Sequence, residues 1–320
     1  MASVIGLVLP FFGLIFLGYF VARITRQSLE ALGWMNTFII YVALPALFFN
    51  LLSRTPVEEL TQWRFIVATT LSTYVVFALM FAIAIVRGGG NIAEATIQGL
   101  GAAYGNIGYM GPGLALLAFG QPAIVPVALI FCFDNTLHFI MAPMLMALAG
   151  GGQEPWLKVA FGVVRRVVTH PFIIATVVGV LGAIFEVRPP EPLQRLLDYL
   201  ANAAAPCALF AMGVTLALRP LKRVPASLGF IVPIKLVAHP LIVWVMLGWA
   251  GTFPEVWVFA AVLQASLPSA TNVFVIAQQY KVWVERASAT VLLTTLCSVV
   301  TVTGVLYLMT NGLLPADPFP

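Results

Sequence analysis

Ten long apolar stretches, each of about 17 to 25 residues and nearly free of charge, run through this chain with only short polar gaps between them. They lie near 3–22, 34–52, 65–86, 95–118, 123–148, 169–186, 196–217, 228–250, 256–279 and 287–310. At 1.5 Å per residue a helix of about 20 residues crosses the roughly 30 Å hydrocarbon core of a bilayer. Lipid cannot hydrogen-bond a backbone, so a spanning segment must satisfy its own N–H and C=O groups, and unbroken apolar runs do so as helices. The expected fold class is therefore an all-α polytopic membrane protein with ten transmembrane helices. The longest polar gap, 150–169, is too short for a water-soluble domain. Composition agrees: 9% of the residues are charged, against roughly 25% in soluble domains.

The charges orient the helices. The net charge of +4 comes from cations in the short gaps, which excludes a nucleic-acid partner and leaves membrane lipid as the surroundings. With the N-terminus outside, the inside gaps hold Arg23, Arg26, Arg87, Lys158, Arg165, Arg166, Arg219, Lys222, Arg223, Lys281 and Arg286. The outside gaps hold Arg54, Arg64, Arg188 and Arg195. This positive-inside bias places both termini on the non-cytoplasmic side of a cell (inner) membrane. The first run has no basic residue before it, so it reads as a first span rather than a cleaved signal. Between Trp156 and Val167 an amphipathic pattern fits either a short interfacial helix or an extension of span six. Cys132, Cys207 and Cys297 lie singly in apolar runs, without a metal or redox spacing, so no metal and no cofactor is expected.

The chain also repeats itself. Leu44-Pro45-Ala46-Leu47-Phe48 in span two resembles Ala205-Pro206-Cys207-Ala208-Leu209-Phe210 in span seven. Moving by the Pro45-to-Pro206 distance lays spans three and four on eight and nine. Five spans are an odd number, so the second half enters from the opposite side, a 5+5 inverted repeat with halves 1–150 and 151–320.

Spans four and nine cannot be uniform helices. Span four contains Gly99, Gly101, Gly105, Asn106, Ile107, Gly108, Gly111, Pro112 and Gly113, and a break is expected near 106–112. Span nine contains Pro268, Ser269, Ala270, Thr271 and Asn272. Unwound backbone at membrane depth survives only where protein buries it or it lines a cavity, and paired breaks in two repeats point to a substrate site. Half-helix N-termini and the amides of Asn106 and Asn272 suit a carboxylate. The expected substrate-binding set is Asn106, Ile107, Gly108, Pro112, Pro268, Ser269 and Asn272. Close helix packing is the competing reading for Gly99 to Gly105.

Ionisable residues inside spans are costly and usually functional. Asp134 and His138 share a face of span five at i,i+4, and Lys235 and His239 do so in span eight. These four form the expected coupling network, either a buried polar lock or a group that takes up a proton with the substrate. Lys235 could instead snorkel to the interface. His170, beside Pro171 at the start of span six, reads as interfacial.

Taken with the Ala43-Leu44-Pro45-Ala46-Leu47-Phe48 motif, the 106–112 break and the Leu267-Pro268-Ser269-Ala270 segment, the whole chain resembles the auxin efflux carrier family in its short prokaryotic branch, which includes malonate-type transporters. The resemblance implies a fold similar to sodium/proton antiporters and bile-acid symporters, with broken helices four and nine crossing. Spans one, two, six and seven, with Pro45 and Pro206, would form a scaffold and the interface of a homodimer. Spans three to five and eight to ten would form a transport unit moving elevator-fashion, with Asn106 on the substrate carboxylate. Plant members carry an acid in span three, where this chain has Thr69, Thr70, Ser72, Thr73 and Tyr74.

The expected function is secondary active transport of small mono- or dicarboxylates, malonate-like or auxin-like, with protons as the coupling ion. A sodium-coupled organic-anion symporter and a non-transporting ligand sensor are the alternatives. The chain carries no nucleotide-binding Gly-x-x-x-x-Gly-Lys-Ser/Thr motif and no Gly-x-Ser-x-Gly, so neither a pump nor an enzyme is expected.

Overall fold

A computed structural model describes residues 2–26, 28–150, 161–162, 164–165, 168–218 and 224–319; for residues 2–5, 7, 8, 29, 30, 136–139 and 172 it describes the main chain only. Most of the 156–167 segment therefore lies outside the described residues, as do Lys158, Arg166, Arg219, Lys222, Arg223 and the side chain of His138. The described residues are helical, without a β-strand. Six helical stretches are long and apolar enough to cross a membrane: Gly33–Leu52, Val57–Arg87, Gln121–Ala149, Glu191–Leu218, Leu228–Ala250 and Val284–Thr310.

The helices in chain order are α1 (Ala2–Thr25), α2 (Gly33–Phe38), α3 (Leu44–Leu52), α4 (Val57–Leu60), α5 (Trp63–Arg87), α6 (Ile92–Ala103), α7 (Gly111–Phe119) and α8 (Ile124–Ala149). There follow α9 (Pro171–Ile184), α10 (Glu191–Leu218), α11 (Leu228–Pro233), α12 (His239–Ala250), α13 (Glu255–Ser266), α14 (Thr271–Tyr280) and α15 (Val284–Thr310). Span four is thus interrupted between Ala103 and Gly111, starting slightly earlier than the glycines and proline suggest, and span nine between Ser266 and Thr271.

Helix α5 shows what solvent this fold is built for. Val67, Leu71, Val75 and Leu79, four residues apart, form an exposed apolar stripe, while Thr69, Ser72 and Thr73 are buried on the other side. A water-soluble helix has the opposite arrangement. Thr69 and Ser72 donate to carbonyls a turn earlier, as Ser72 does to Ala68, which satisfies these hydroxyls within the helix; Thr70 Oγ1 is buried without a partner among the described residues.

The chain divides into two compact units. The first comprises residues 1–62, 108–132 and 168–220. Within it α1 lies against α10 so closely that a Cβ on Gly18 would collide with the carbonyl of Phe210, and one on Gly213 with that of Ile15. Small residues at such crossings allow backbone contact where lipid provides no hydrophobic drive between helices. Phe48 of α3 stacks on Phe131 of α8, with centroids 4.4 Å apart. Asn50, Gln194 and Asp198 join α3 to α10 through hydrogen bonds of 2.8–3.0 Å.

The second unit comprises residues 63–107, 133–167 and 221–320. Its core holds Phe77, Met80, Ile97, Leu100 and Tyr104 with Ile231, Val273 and Ala287. At one end the C-terminal residues fold over α12: Trp244 Nε1 donates to the Pro315 carbonyl at 2.9 Å, and Trp249 stacks on Phe319.

The two prolines matched in the sequence repeat have different surroundings. Pro45 follows a π-helical turn, Ile39–Ala43, whereas Pro206 lies inside a continuous α-helix. A second π turn, Ile234–Ala238, precedes Pro240. A proline lacks its N–H and crowds the preceding turn, and a widened turn is one way a helix relieves that.

Candidate functional site

The second unit contains both edges of a chain crossing. Helix α6 begins with Asn91, whose side chain accepts from the Glu94 N–H at 3.0 Å, and ends where Tyr104 turns extended. Helix α13 ends at Leu267, also extended, and α14 starts at Thr271 after an extended Ala270. The two interrupted segments then pair main chain to main chain. The Asn106 N–H donates to the Pro268 carbonyl at 2.8 Å, and the Ala270 N–H donates to the Tyr104 carbonyl at 2.9 Å. Gly105 and Ser269 form an isolated antiparallel bridge between them. Each break thus supplies the hydrogen bonds that the other lost with its helix, so unwound backbone persists in an apolar interior.

Side chains lock this crossing. The Ser269 hydroxyl donates to the Gly101 carbonyl, one of the groups α6 leaves open at its end. The Ser269 N–H donates to Thr294 Oγ1 at 3.2 Å. Asn272 Nδ2 donates to the Tyr104 hydroxyl at 3.0 Å, which in turn donates to Asn135 Oδ1 at 2.6 Å. Gly105 lets Lys235 come close: a Cβ there would approach its Nζ to 3.2 Å, so the ammonium would have to shift by a few tenths of an ångström. Packing also explains Gly99 and Gly101, whose added Cβ atoms would press on Phe77 and Thr290.

Of the expected substrate-binding residues, Asn106, Ile107, Pro268, Ser269 and Asn272 belong to this unit, and all but Asn272 are buried. Gly108 and Pro112 fall in the first unit. There Gly108 lies against the Phe131 ring, and Pro112 opens α7 beside a cavity of ≈ 110 Å³ shared with Leu47 and Ala205.

A second polar network runs through the same unit as the crossing. Lys235 is fully buried and donates from Nζ to the Ala265 carbonyl at 2.7 Å. The snorkelling alternative is therefore corrected: Lys235 projects inward from a π turn, to the last turn of α13. Its Nζ lies 3.0 Å from His239 Nδ1; Thr73 Oγ1 lies 3.4 Å from His239 Nε2 and donates to Asp134 Oδ2 at 2.9 Å. One assignment satisfies every link: the ammonium donates to Nδ1, Nε2–H donates to Thr73, and Thr73 donates to Asp134. Asp134 is the single buried acid among the described residues.

Several residues here escaped the sequence reading. Tyr104 and Asn135 look like ordinary members of their spans, and Thr73 stood out only as one of several polar residues in span three; only the fold turns them toward partners. Gln264, on the last turn of α13, is 1% exposed, and neither atom of its amide has a hydrogen-bond partner among the described residues. A glutamine in an apolar run four residues before a proline was the available signal. Thr271 Oγ1, at the start of α14, is likewise buried without a partner.

Apolar helices with lipid-facing stripes and polar interiors, two of them broken and paired, define an integral membrane protein of the transport class. The chain belongs to the membrane transport protein family, the auxin efflux carriers, whose model matches residues 3–150 and 142–306. It is 64% identical over 320 residues, the full length of both chains, to a Rhizobium meliloti (strain 1021) protein named "Putative malonate transporter". It is 24% identical over 90% of its length, and 92% of the other's, to an uncharacterized transporter of Methanothermobacter thermautotrophicus. It is 25% identical over 93% of its length, and 95% of the other's, to the uncharacterized transporter YfdV of Escherichia coli (strain K12). The family and these relatives are transporters, not enzymes.

Proposed function

We propose that this protein is a secondary active transporter of small dicarboxylates, malonate among them, and that the crossing of spans four and nine is where the carboxylates are held. The observation that carries this reading is the pairing of residues 104–106 with 268–270 amid buried amides. That arrangement leaves the N-terminus of α14, with Thr271 and Asn272, without a side-chain cap at membrane depth. Helix N-termini and carboxamides are donors suited to a carboxylate. Asn106, Asn272 and the unpartnered Gln264 would supply the side-chain donors. The name of the Rhizobium relative supports the choice of a dicarboxylate.

The Lys235–His239–Thr73–Asp134 chain supports coupling to protons, because alternating donors and acceptors can pass a proton between an ammonium and a carboxylate site. In this reading ten spans form a 5+5 inverted repeat in the inner membrane, with both termini outside. The protein works as a homodimer, and the unit that carries the crossing moves elevator-fashion to alternate access.

The test is uptake of radiolabelled malonate into proteoliposomes, with an inward proton gradient, a sodium gradient or none, for wild type and Asn106→Ala. Proton-stimulated uptake that Asn106→Ala abolishes is the expected result. Stimulation by sodium alone would replace the proton with sodium in the coupling. Absence of flux of any carboxylate in folded protein would sink the carrier reading in favour of a ligand sensor.

A further inference from the structure

Within the second unit, at the end that carries Arg87 and Arg286, a cavity of ≈ 430 Å³ lies among the end of α5 and the starts of α6, α11 and α15. Its lining differs from the apolar helices around it. The Arg87 guanidinium sits 4.8 Å over the centroid of the Phe230 ring and has no acidic partner among the described residues. Arg286 lies 3.5 Å from Glu94, so two guanidiniums face one carboxylate and the cavity keeps a net positive charge. Gln98 also lines it, 8% exposed, with an amide that makes no hydrogen bond among the described residues. Trp283 forms another wall at φ 56, a left-handed backbone that is costly for a bulky side chain and marks a position held for a reason.

This cavity is separate from the crossing. Gln98 lies five residues before the end of α6 at Ala103, about 7.5 Å along the helix, and neither 104–106 nor 268–270 contributes to the cavity lining.

We propose that the cavity binds a phosphate oxyanion, supplied by the headgroup of an anionic phospholipid. A guanidinium held 4.8 Å over a ring centroid still has N–H groups to fork onto two phosphate oxygens, and a buried carboxamide adds a further donor. Glu94 is engaged by Arg286 and leaves Arg87 to the ligand. The rim continues into lipid-facing surface: Val86 is 83% exposed beside Arg87, and Leu79 lies on the exposed stripe of the same helix. Acyl chains find an apolar track there that a free anion would not use. Basic pockets between helices at a membrane surface are suited to such headgroups.

The proposal does not depend on what is transported, so its test is binding. The purified full chain in detergent is titrated with phosphatidylglycerol, phosphatidylcholine or inorganic phosphate, reading lipid retention by native mass spectrometry and the unfolding temperature. Phosphatidylglycerol is expected to be retained and to stabilise, and phosphatidylcholine is not. Arg87→Gln and, separately, Gln98→Leu should each weaken phosphatidylglycerol binding about tenfold, as for loss of one charged or buried hydrogen bond. Arg54→Gln, in the other unit, should leave it unchanged. Undiminished retention in both cavity variants, or equal retention of phosphatidylcholine, overturns the site. Equal stabilisation by inorganic phosphate alone overturns the lipid as its source.

Discussion

Removing the Tyr104 hydroxyl tests whether the side-chain lock on the crossing has energetic weight. The Tyr104 ring is 2% exposed and belongs to the core of its unit, so Tyr104→Phe deletes an oxygen and leaves the packing in place. Two hydrogen bonds go with it, the 2.6 Å bond to Asn135 and the 3.0 Å bond from Asn272. In a water-soluble core, stranding a buried polar group costs about 1–3 kcal/mol. Between membrane helices the average is ~0.6 kcal/mol and the maximum ~1.7, because the unfolded chain in lipid also finds partners. The membrane figures govern here, since all three residues lie in apolar spans, and two bonds then sum to about 1–2 kcal/mol. The larger share belongs to the Asn135 bond, which is shorter and buried at both ends. Equilibrium unfolding in mixed micelles by graded SDS reads this as a shift of roughly 5- to 30-fold in the unfolding constant. A cycle with Asn272→Leu should show a coupling of about 0.5–1 kcal/mol between positions 104 and 272. Tyr199→Phe, at an exposed ring, is the control and should change nothing. If Tyr104→Phe matches wild type and the cycle is additive, the side chains do not hold the crossing and the main-chain pairing does so alone.

Three further outcomes follow from the geometry. Gln264→Leu removes a buried amide with no partner and should raise stability by about 1–3 kcal/mol while lowering malonate uptake; unchanged uptake would take Gln264 out of the substrate site. Gly213→Ala puts a methyl into the Ile15 carbonyl where α1 meets α10, and should cost at least about 1–3 kcal/mol in SDS unfolding; a wild-type midpoint would contradict the close approach. Asp134→Asn removes the one acid of the Lys235–His239–Thr73 network. It should abolish the stimulation of uptake by an inward proton gradient while malonate still protects the protein thermally; gradient-driven uptake that persists would show the relay to be structural only.

The all-helical, apolar character of the chain was legible from residue order alone, and six of its helical stretches are long and apolar enough to cross a membrane. Where each apolar stretch lies, and that spans four and nine break, follows from what a bilayer tolerates: long apolar runs, interrupted only by Gly and Pro where protein encloses them. The positions of Asn106, Ser269 and Asn272 at the breaks were legible in the same way, but not that Ser269 and Asn272 bond across the crossing, to Gly101 and Tyr104. The family resemblance was carried by these same segments and is matched by the family model.

What the sequence could not decide is which polar groups meet. A span that is apolar nearly all round does not fix its own rotation, so nothing in the order of residues says that Thr73 faces Asp134 and His239, or that Tyr104 stands between Asn135 and Asn272. Lys235 has a stem long enough for two destinations, and the neighbouring end of α13, with the Ala265 carbonyl, settles it inward. Pairing of residues 104–106 with 268–270 joins positions more than 160 residues apart, and it exists because two broken helices face each other with unsatisfied backbone. Hydropathy records the solvent that each residue prefers; only tertiary structure assigns the partner that a polar group finds once that solvent is excluded.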